Sequence, residues 1–254
     1  MTIEKGLEHG YVLITGASSG FGAAIARRFG EAGAKLLLLA RREEKLNELR
    51  DKLSGESIEV VPLVCDVREE EKLEALLKPY LPNISVLVNN AGLALGVGST
   101  QNVDMEDWRT MIATNITGVA FITHLVLPHM VERDRGLIIN VGSVAGTYPY
   151  PGGNVYGGTK AFVKQFSLNL KAELLGTKVR VSNIEPAASE TEFSIVRHKG
   201  NESRASEVYD GWEPFTADDI AETVYWIASL PERVNVNSIE IMGTGQSFAG
   251  FSIH

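Results

Sequence analysis

Tyr156 and Lys160 stand four residues apart in a stretch with helical apolar spacing, so their side chains share one face. A free phenol, with a pKa of about 10, is a poor proton carrier at neutral pH. An ammonium group beside it favours the phenolate and lowers that value, which equips the pair for general acid–base work. Ser143, thirteen residues before Tyr156, supplies a hydroxyl that can hold and polarise a carbonyl oxygen while Tyr156 gives up its proton. Asn115 could hold a water that relays protons past Lys160. A Y-x-x-x-K pair also occurs by chance as two exposed neighbours on a helix. The reading therefore depends on what lies around it.

A second constellation stands near the N-terminus, where Thr15-Gly16-Ala17-Ser18-Ser19-Gly20-Phe21-Gly22 follows a short apolar run. The three glycines let the chain turn tightly and bring backbone N–H groups, including those of Ser18, Ser19 and Phe21, close to a ligand. The helix starting there offers unpaired N–H groups and a positive dipole end, which suits a pyrophosphate. The spacing is G-x-x-x-G-x-G rather than G-x-G-x-x-G. A purely structural turn is the alternative, but the strand–turn–helix context favours a dinucleotide. The second apolar run ends in Ala40-Arg41-Arg42, at the place that faces an adenosine ribose in this geometry. An acidic residue there would accept from the 2′-hydroxyl of NAD, whereas Arg41 and Arg42 suit the 2′-phosphate of NADP. Asp66-Val67 ends a third run and Asn89-Asn90-Ala91-Gly92 a fourth. Asp66 can accept from an adenine amino group, while Asn90 and Gly92 let backbone approach a ribose.

Other chemistries find little support. The five histidines, His9, His124, His129, His198 and His254, have no metal-ligand spacing, so no metal is expected. No G-x-S-x-G nucleophile elbow occurs. The acidic runs at Glu43-Glu44 and Glu69-Glu70-Glu71 read as dipole-stabilising first turns of helices. Among 254 residues, 32 acidic against 24 basic side chains leave a net charge of −8, which disfavours nucleic-acid or anionic-membrane partners. No apolar run looks long enough, at roughly 18 residues, to span a membrane. Met1 to Gly10 lacks the apolar core of a signal peptide. A single cysteine, Cys65, excludes an internal disulfide framework, reads as a small buried hydrophobe and points to the cytoplasm.

Positioning these groups requires alternating strands and helices. Tyr11–Thr15, Lys35–Leu39, Ile58–Val64, Ser85–Val88, Leu137–Val141, Lys178–Ile184 and Asn237–Ile241 read as strands. Helices are expected over Gly20–Ala32, Glu43–Leu53, Arg68–Lys78, Asp104–Arg133, Tyr156–Leu175 and Thr216–Leu230. The strands are nearly continuous Val, Ile and Leu, the pattern of a parallel sheet buried on both faces. The expectation is a single-domain α/β chain, a doubly wound (Rossmann) parallel sheet with helices on both faces. In such a sheet ligands bind beyond the carboxyl ends of the strands, where each constellation falls. Ala187–Gly211 lacks a firm element, is too long for a plain connection, and is expected to be a lid.

Taken together, Thr15-Gly-x-x-x-Gly-x-Gly22, Asn89-Asn90-Ala91-Gly92, Asn115, Ser143 and Tyr156-x-x-x-Lys160 resemble the short-chain dehydrogenase/reductase family over nearly the whole chain. The resemblance implies hydride transfer between NAD(P)(H) and an alcohol or carbonyl, with Asn115, Ser143, Tyr156 and Lys160 as the catalytic set. It makes Tyr156 the acid/base and brings Lys160 onto the nicotinamide ribose. The segments 90–96, 152–163 and 191–197 are similar to NADP-dependent 3-hydroxy acid dehydrogenases, a group that includes serine and allo-threonine dehydrogenases and malonic semialdehyde reductase. The family segment after the sixth strand bonds the nicotinamide carboxamide, which implies roles for Pro186, Ser189 and Thr191. Ala187 departs from the family's glycine, and should this turn need a positive φ, cofactor binding would suffer.

A 3-hydroxy acid brings a carboxylate that needs a partner once desolvated. Arg197, in the expected lid, is the candidate anchor, with Ser143 and Tyr156 on the reacting oxygen; a solvated arginine is the alternative. The rival functions are reduction of other carbonyl or 3-oxoacyl substrates, and non-catalytic NADPH sensing. The family resemblance also implies a homotetramer built on the two long helices.

Overall fold

The computed structural model describes residues 10–54, 58–96 and 98–247. Seven strands, β1 (Tyr11–Thr15), β2 (Lys35–Ala40), β3 (Val60–Val64), β4 (Ile84–Asn89), β5 (Gly136–Val141), β6 (Val179–Pro186) and β7 (Ser238–Ile241), form one sheet in the order β3-β2-β1-β4-β5-β6-β7. Every pairing is parallel. Between them run α1 (Gly20–Glu31), α2 (Glu43–Ser54), α3 (Glu70–Leu77), α4 (Met105–Ile112), α5 (Val119–Glu132), α6 (Asn154–Glu173), α7 (Glu192–Arg197), α8 (Glu202–Ser206) and α9 (Ala217–Ser229).

Alternate residues of one strand enter opposite cores. Val12, Ile14, Leu36 and Leu38 pack with Ile25 and Phe29 of α1 and with Val224 and Tyr225 of α9. Leu13, Leu37 and Leu39 pack on the other face with Leu73 of α3, Ile122 and Val126 of α5, and Leu170 of α6. This is why the strands read as unbroken apolar runs: each fully buried Leu contributes roughly 1.5–3 kcal/mol whichever face it takes. Pro62, which cannot donate to a ladder, lies on the edge strand β3.

The expected doubly wound sheet is observed, and most element ends differ by one or two residues. Three departures have physical causes. The helix expected from Arg68 starts at Glu70, because the Arg68 backbone N–H and guanidinium both donate to the Asp66 carboxylate (3.0, 3.0 and 2.8 Å). The long helix Asp104–Arg133 is interrupted by a π-helical segment, Ala113–Gly118, between α4 and α5. The segment 187–211 contains α7 and α8, whose N-caps Thr191 and Asn201 accept from Phe193 N–H and Arg204 N–H. Both helices are too short to leave an apolar period in the sequence. The expectation about membrane-length runs also needs correction. Met105–Glu132 contains an 18-residue stretch long and apolar enough by composition, with a mean hydropathy of 1.5, but 44% of that stretch is buried within the fold.

Candidate active site

The sheet order reverses between β1 and β4, and the chain opens a crevice at their carboxyl ends. Thr15 ties β1 to the chain leaving β4, its Oγ1 accepting from the N–H groups of Asn90 (3.0 Å) and Ala91 (2.9 Å). Asn90 Nδ2 donates back to the Thr15 carbonyl at 2.9 Å. Gly16 adopts φ +67°, a conformation open to glycine. At Gly22 a Cβ would lie 2.3 Å from the Gly16 carbonyl oxygen, so this glycine is required by close packing of the turn against α1. Ser19, the N-cap of α1, forms no side-chain cap bond. Backbone donors and the dipole end of α1 therefore face the crevice, as an anion site requires.

The crevice is a cavity of about 600 Å³. Gly16, Ser18, Ser19, Gly20, Phe21, Arg41, Arg42, Asp66, Val67, Asn90, Gly92, Ser143, Tyr156, Lys160, Pro186, Ser189, Thr191 and Arg197 all line it. Gly22 and Asn115 do not, and both sit behind the wall. The Arg42 guanidinium donates to Ser18 Oγ (3.2 and 3.1 Å) and pairs with Glu192 at 2.9 Å. Arg41 reaches Asp66 at 3.7 Å with its side chain 65% exposed. Partial burial works against ionisation of Asp66, but hydrogen bonds from Arg68 hold its carboxyl below the usual range. Both Asp66 oxygens are thus already engaged by Arg68.

Ser143 follows β5 by two residues and is the N-cap of a 3-10 turn, Val144–Gly146. Its Oγ accepts from Ala145 N–H (3.1 Å) and donates to the Pro186 carbonyl (3.3 Å). Tyr156 and Lys160 project from the first turns of α6, both buried. Burial pushes the Tyr156 phenol well above its ordinary value, while hydrogen bonding to Ser143 opposes the shift. The expected lowering of the phenol's pKa by Lys160 is not what the structure shows: desolvation dominates, and Lys160 is not among the groups that shift it. The Lys160 Nζ lies 5.9 Å from the Tyr156 ring centroid and donates instead to the Val141 carbonyl at 2.7 Å. Burial lowers Lys160 itself to about 8.

Asn115 lies in the π-helical segment and is 1% exposed. Its Oδ1 accepts from Leu93 N–H (2.9 Å), and its Nδ2 donates to Leu93 O (2.8 Å) and Thr159 Oγ1 (3.0 Å). The side-chain amide is thus spent on the Gly92–Leu93 loop and on α6. It braces the wall that carries Lys160.

The segment after β6 folds over the opening. Ala187 donates its N–H to Ile241 O (2.9 Å) and lies outside the positive-φ region, so alanine is unstrained where the family usually has glycine. Phe193 sets its ring 5.7 Å from that of Tyr156. Arg197 Nη2 donates to Tyr150 Oη at 3.2 Å. Lys199 pairs with Asp107 of α4 at 2.7 Å and tethers the far end. Sequence reasoning missed Tyr150, Glu192 and Phe193 as wall residues. The Tyr148-Pro149-Tyr150-Pro151 run between Ser143 and Tyr156 was the available signal for the first.

The residues present fit an NADP-type dinucleotide. The glycine turn and α1 suit its pyrophosphate, and Arg41 and Arg42 its 2′-phosphate. Ser189 Oγ and Arg197 Nε are buried polar atoms with no hydrogen-bond partner among the described residues, beside Thr191, Ser143 and Tyr156.

Residues 10–202 match the short chain dehydrogenase family. The chain is 50% identical over 248 residues to the NADP-dependent 3-hydroxy acid dehydrogenase YdfG of Escherichia coli K12, covering 96% of this chain and 98% of that one. It is 49% identical over 245 residues to serine 3-dehydrogenase of Agrobacterium fabrum, with the same coverage. The closed form of serine dehydrogenase complexed with NADP+ superposes with a TM-score of 0.92 at 48% identity, over 96% of this chain and 99% of that one. With the sheet, the glycine turn and the Ser143–Tyr156–Lys160 pocket, these matches establish that the chain belongs to the short-chain dehydrogenase family.

Proposed function

We propose that this chain is an NADP-dependent dehydrogenase that interconverts short 3-hydroxy acids and their 3-oxo counterparts. The observation that carries this reading is one cavity lined by the glycine turn, by Arg41 and Arg42, and by Ser143, Tyr156 and Lys160. The NADP-dependent and serine-oxidising relatives support it. When bound, NADP(H) supplies or accepts the hydride at the carbinol carbon.

The protein's own groups handle the oxygen. Ser143 Oγ orients and polarises the substrate oxygen. Tyr156, kept protonated by its burial, gives its proton to that oxygen during reduction. In oxidation Tyr156 must first lose its proton and, as the phenolate, take the one from the substrate hydroxyl, and the Lys160 ammonium supplies the favourable charge for that phenolate. With a pKa of about 8, Lys160 is still mainly protonated at neutral pH. Arg197 takes the carboxylate, Tyr150 steadies the guanidinium, and the 187–211 lid excludes water. A single catalytic domain and a homotetramer are part of the same proposal. Exposed Ile112 on α4 and Leu168 on α6 support an oligomeric contact.

Initial rates with NADP+ and NAD+ against serine, allo-threonine, 3-hydroxyisobutyrate and 3-hydroxypropionate test the reading. Tyr156→Phe is expected to keep NADPH binding and to lose turnover by roughly a thousandfold. Turnover confined to carbonyl compounds without a carboxylate would select the broader reductase instead. NADPH binding with no turnover in the wild type would select the sensing module.

A further inference from the structure

Glu185 is a carboxylate that the proton chemistry above does not use. It is 2% exposed and lies in β6 directly before Pro186. Its Oε2 accepts from Lys164 Nζ and from Thr147 Oγ1, each at 3.0 Å. Its Oε1 accepts from Asn183 Nδ2 at 3.0 Å and from Ser238 Oγ. Lys164 Nζ also donates to Thr147 Oγ1 at 2.9 Å, which closes a three-membered network. A buried carboxylate is tolerated when it is paired and its lone pairs are filled, and here both conditions hold. Packed apolar side chains could fill such a place at no loss of stability, so the network calls for another reason.

The positions of its partners give that reason. Lys164 is one turn beyond Lys160 and two beyond Tyr156 on the same face of α6. Thr147 caps the end of the 3-10 turn whose first cap is Ser143. That turn is pressed against α6, since a Cβ on Gly146 would lie 2.7 Å from the Lys160 carbonyl carbon. Ser143 Oγ donates to the carbonyl of Pro186, the residue next to Glu185. The Ser143 turn and the Tyr156 helix are therefore both tied to one point on β6.

We propose that Glu185 is a positioning residue which, acting through Lys164 and Thr147, sets the separation of the Ser143 hydroxyl and the Tyr156 phenol. The inference rests on the proposed dehydrogenase function. Small errors in the placement of reacting groups are costly to rate, and the cofactor's phosphate site lies at a different strand end.

Steady-state kinetics, NADPH titration by fluorescence and thermal melts on the full-length enzyme test it. Thr147→Val and Lys164→Met are expected to lower kcat about tenfold or more, with the Kd for NADPH within about twofold of wild type. The deuterium isotope effect on kcat, with substrate labelled at the carbinol carbon, is expected to rise in both. Lys164→Arg keeps the pair and is expected to restore kcat. Lys164→Met strands a buried carboxylate and is expected to lower the Tm. The double variant Glu185→Gln/Lys164→Met removes both charges and is expected to recover the Tm while kcat stays low. Recovery of both Tm and kcat in the double variant would make the network merely structural and overturn the proposal. So would unchanged kcat in the single variants of an active enzyme. A wild type inert on every substrate in the panel would overturn this inference together with the functional reading.

Discussion

Lys160→Met separates the contribution of one residue to catalysis from its cost to the fold. Lys160 is buried, and its pKa falls from an ordinary 10.5 to about 8 because desolvation disfavours the ammonium. At 1.36 kcal/mol per pKa unit that drop corresponds to roughly 3 kcal/mol of stability lost at neutral pH. The compensating bond in the protein is the one to Val141 O at 2.7 Å, and losing a charged hydrogen bond of that kind costs about 1.5 kcal/mol. Methionine keeps the length and apolar contacts of the stem without the charge. The variant is therefore expected to be more stable than wild type by about 2 kcal/mol at pH 7, or about 4–8 °C in Tm for a chain of this size. The folded pKa lies below the unfolded one, so the penalty is fully present below about pH 8 and is relieved as pH rises toward about 10.5. Wild-type stability should climb through that window and the variant's advantage should shrink. Turnover should be lost throughout. Differential scanning calorimetry from pH 6 to 10, beside rate measurements, reads both. A variant that melts at or below wild type at pH 7, or whose advantage grows with pH, would refute the assignment of Lys160 as a buried charge whose desolvation exceeds its compensation.

Arg42→Ala removes the guanidinium that bonds Ser18 and pairs with Glu192. It is expected to raise KM for NADP(H) ten- to a hundredfold, or roughly 1.4–2.8 kcal/mol, with a much smaller effect on NAD(H). Parallel losses with both cofactors would show that Arg42 serves the turn and not the 2′-phosphate. Arg197→Ala is expected to raise KM for hydroxy acids by about tenfold or more and to spare alcohols that lack a carboxylate. Equal loss on both substrate types would remove Arg197 as the anchor.

The sheet and the pocket were legible because both write periodic or dense signals. KLLLL at 35–39 admits a strand buried on two faces, and Tyr156 with Lys160 shares a helical face by spacing alone. What was not legible depends on three-dimensional competition. Asp66 and Asn115 have the right chemistry for a ligand or a water, and residue order does not show that their side chains also hold neighbouring protein groups. Nothing in residue order says that Lys160 turns toward Val141 O or that burial outweighs charge at Tyr156. Tyr150 and Arg197 meet across 47 positions, and α7 and α8 hold their turns by capping bonds more than by apolar faces.

The π-helical segment at 113–118 limits how this part of the chain can change in length. A π turn takes in one residue more than an α turn, and each residue advances a helix by about 100°. Asn115 faces Leu93 and Thr159 on one side of that bulge, while Ile122, Val126 and Met130 rest on the sheet beyond it. Deleting a single residue there would straighten the rod and swing one of these two sets off its target. Surface loops can drift by several residues between distant relatives, but this stretch has its residue count locked by two surfaces that must be met at once.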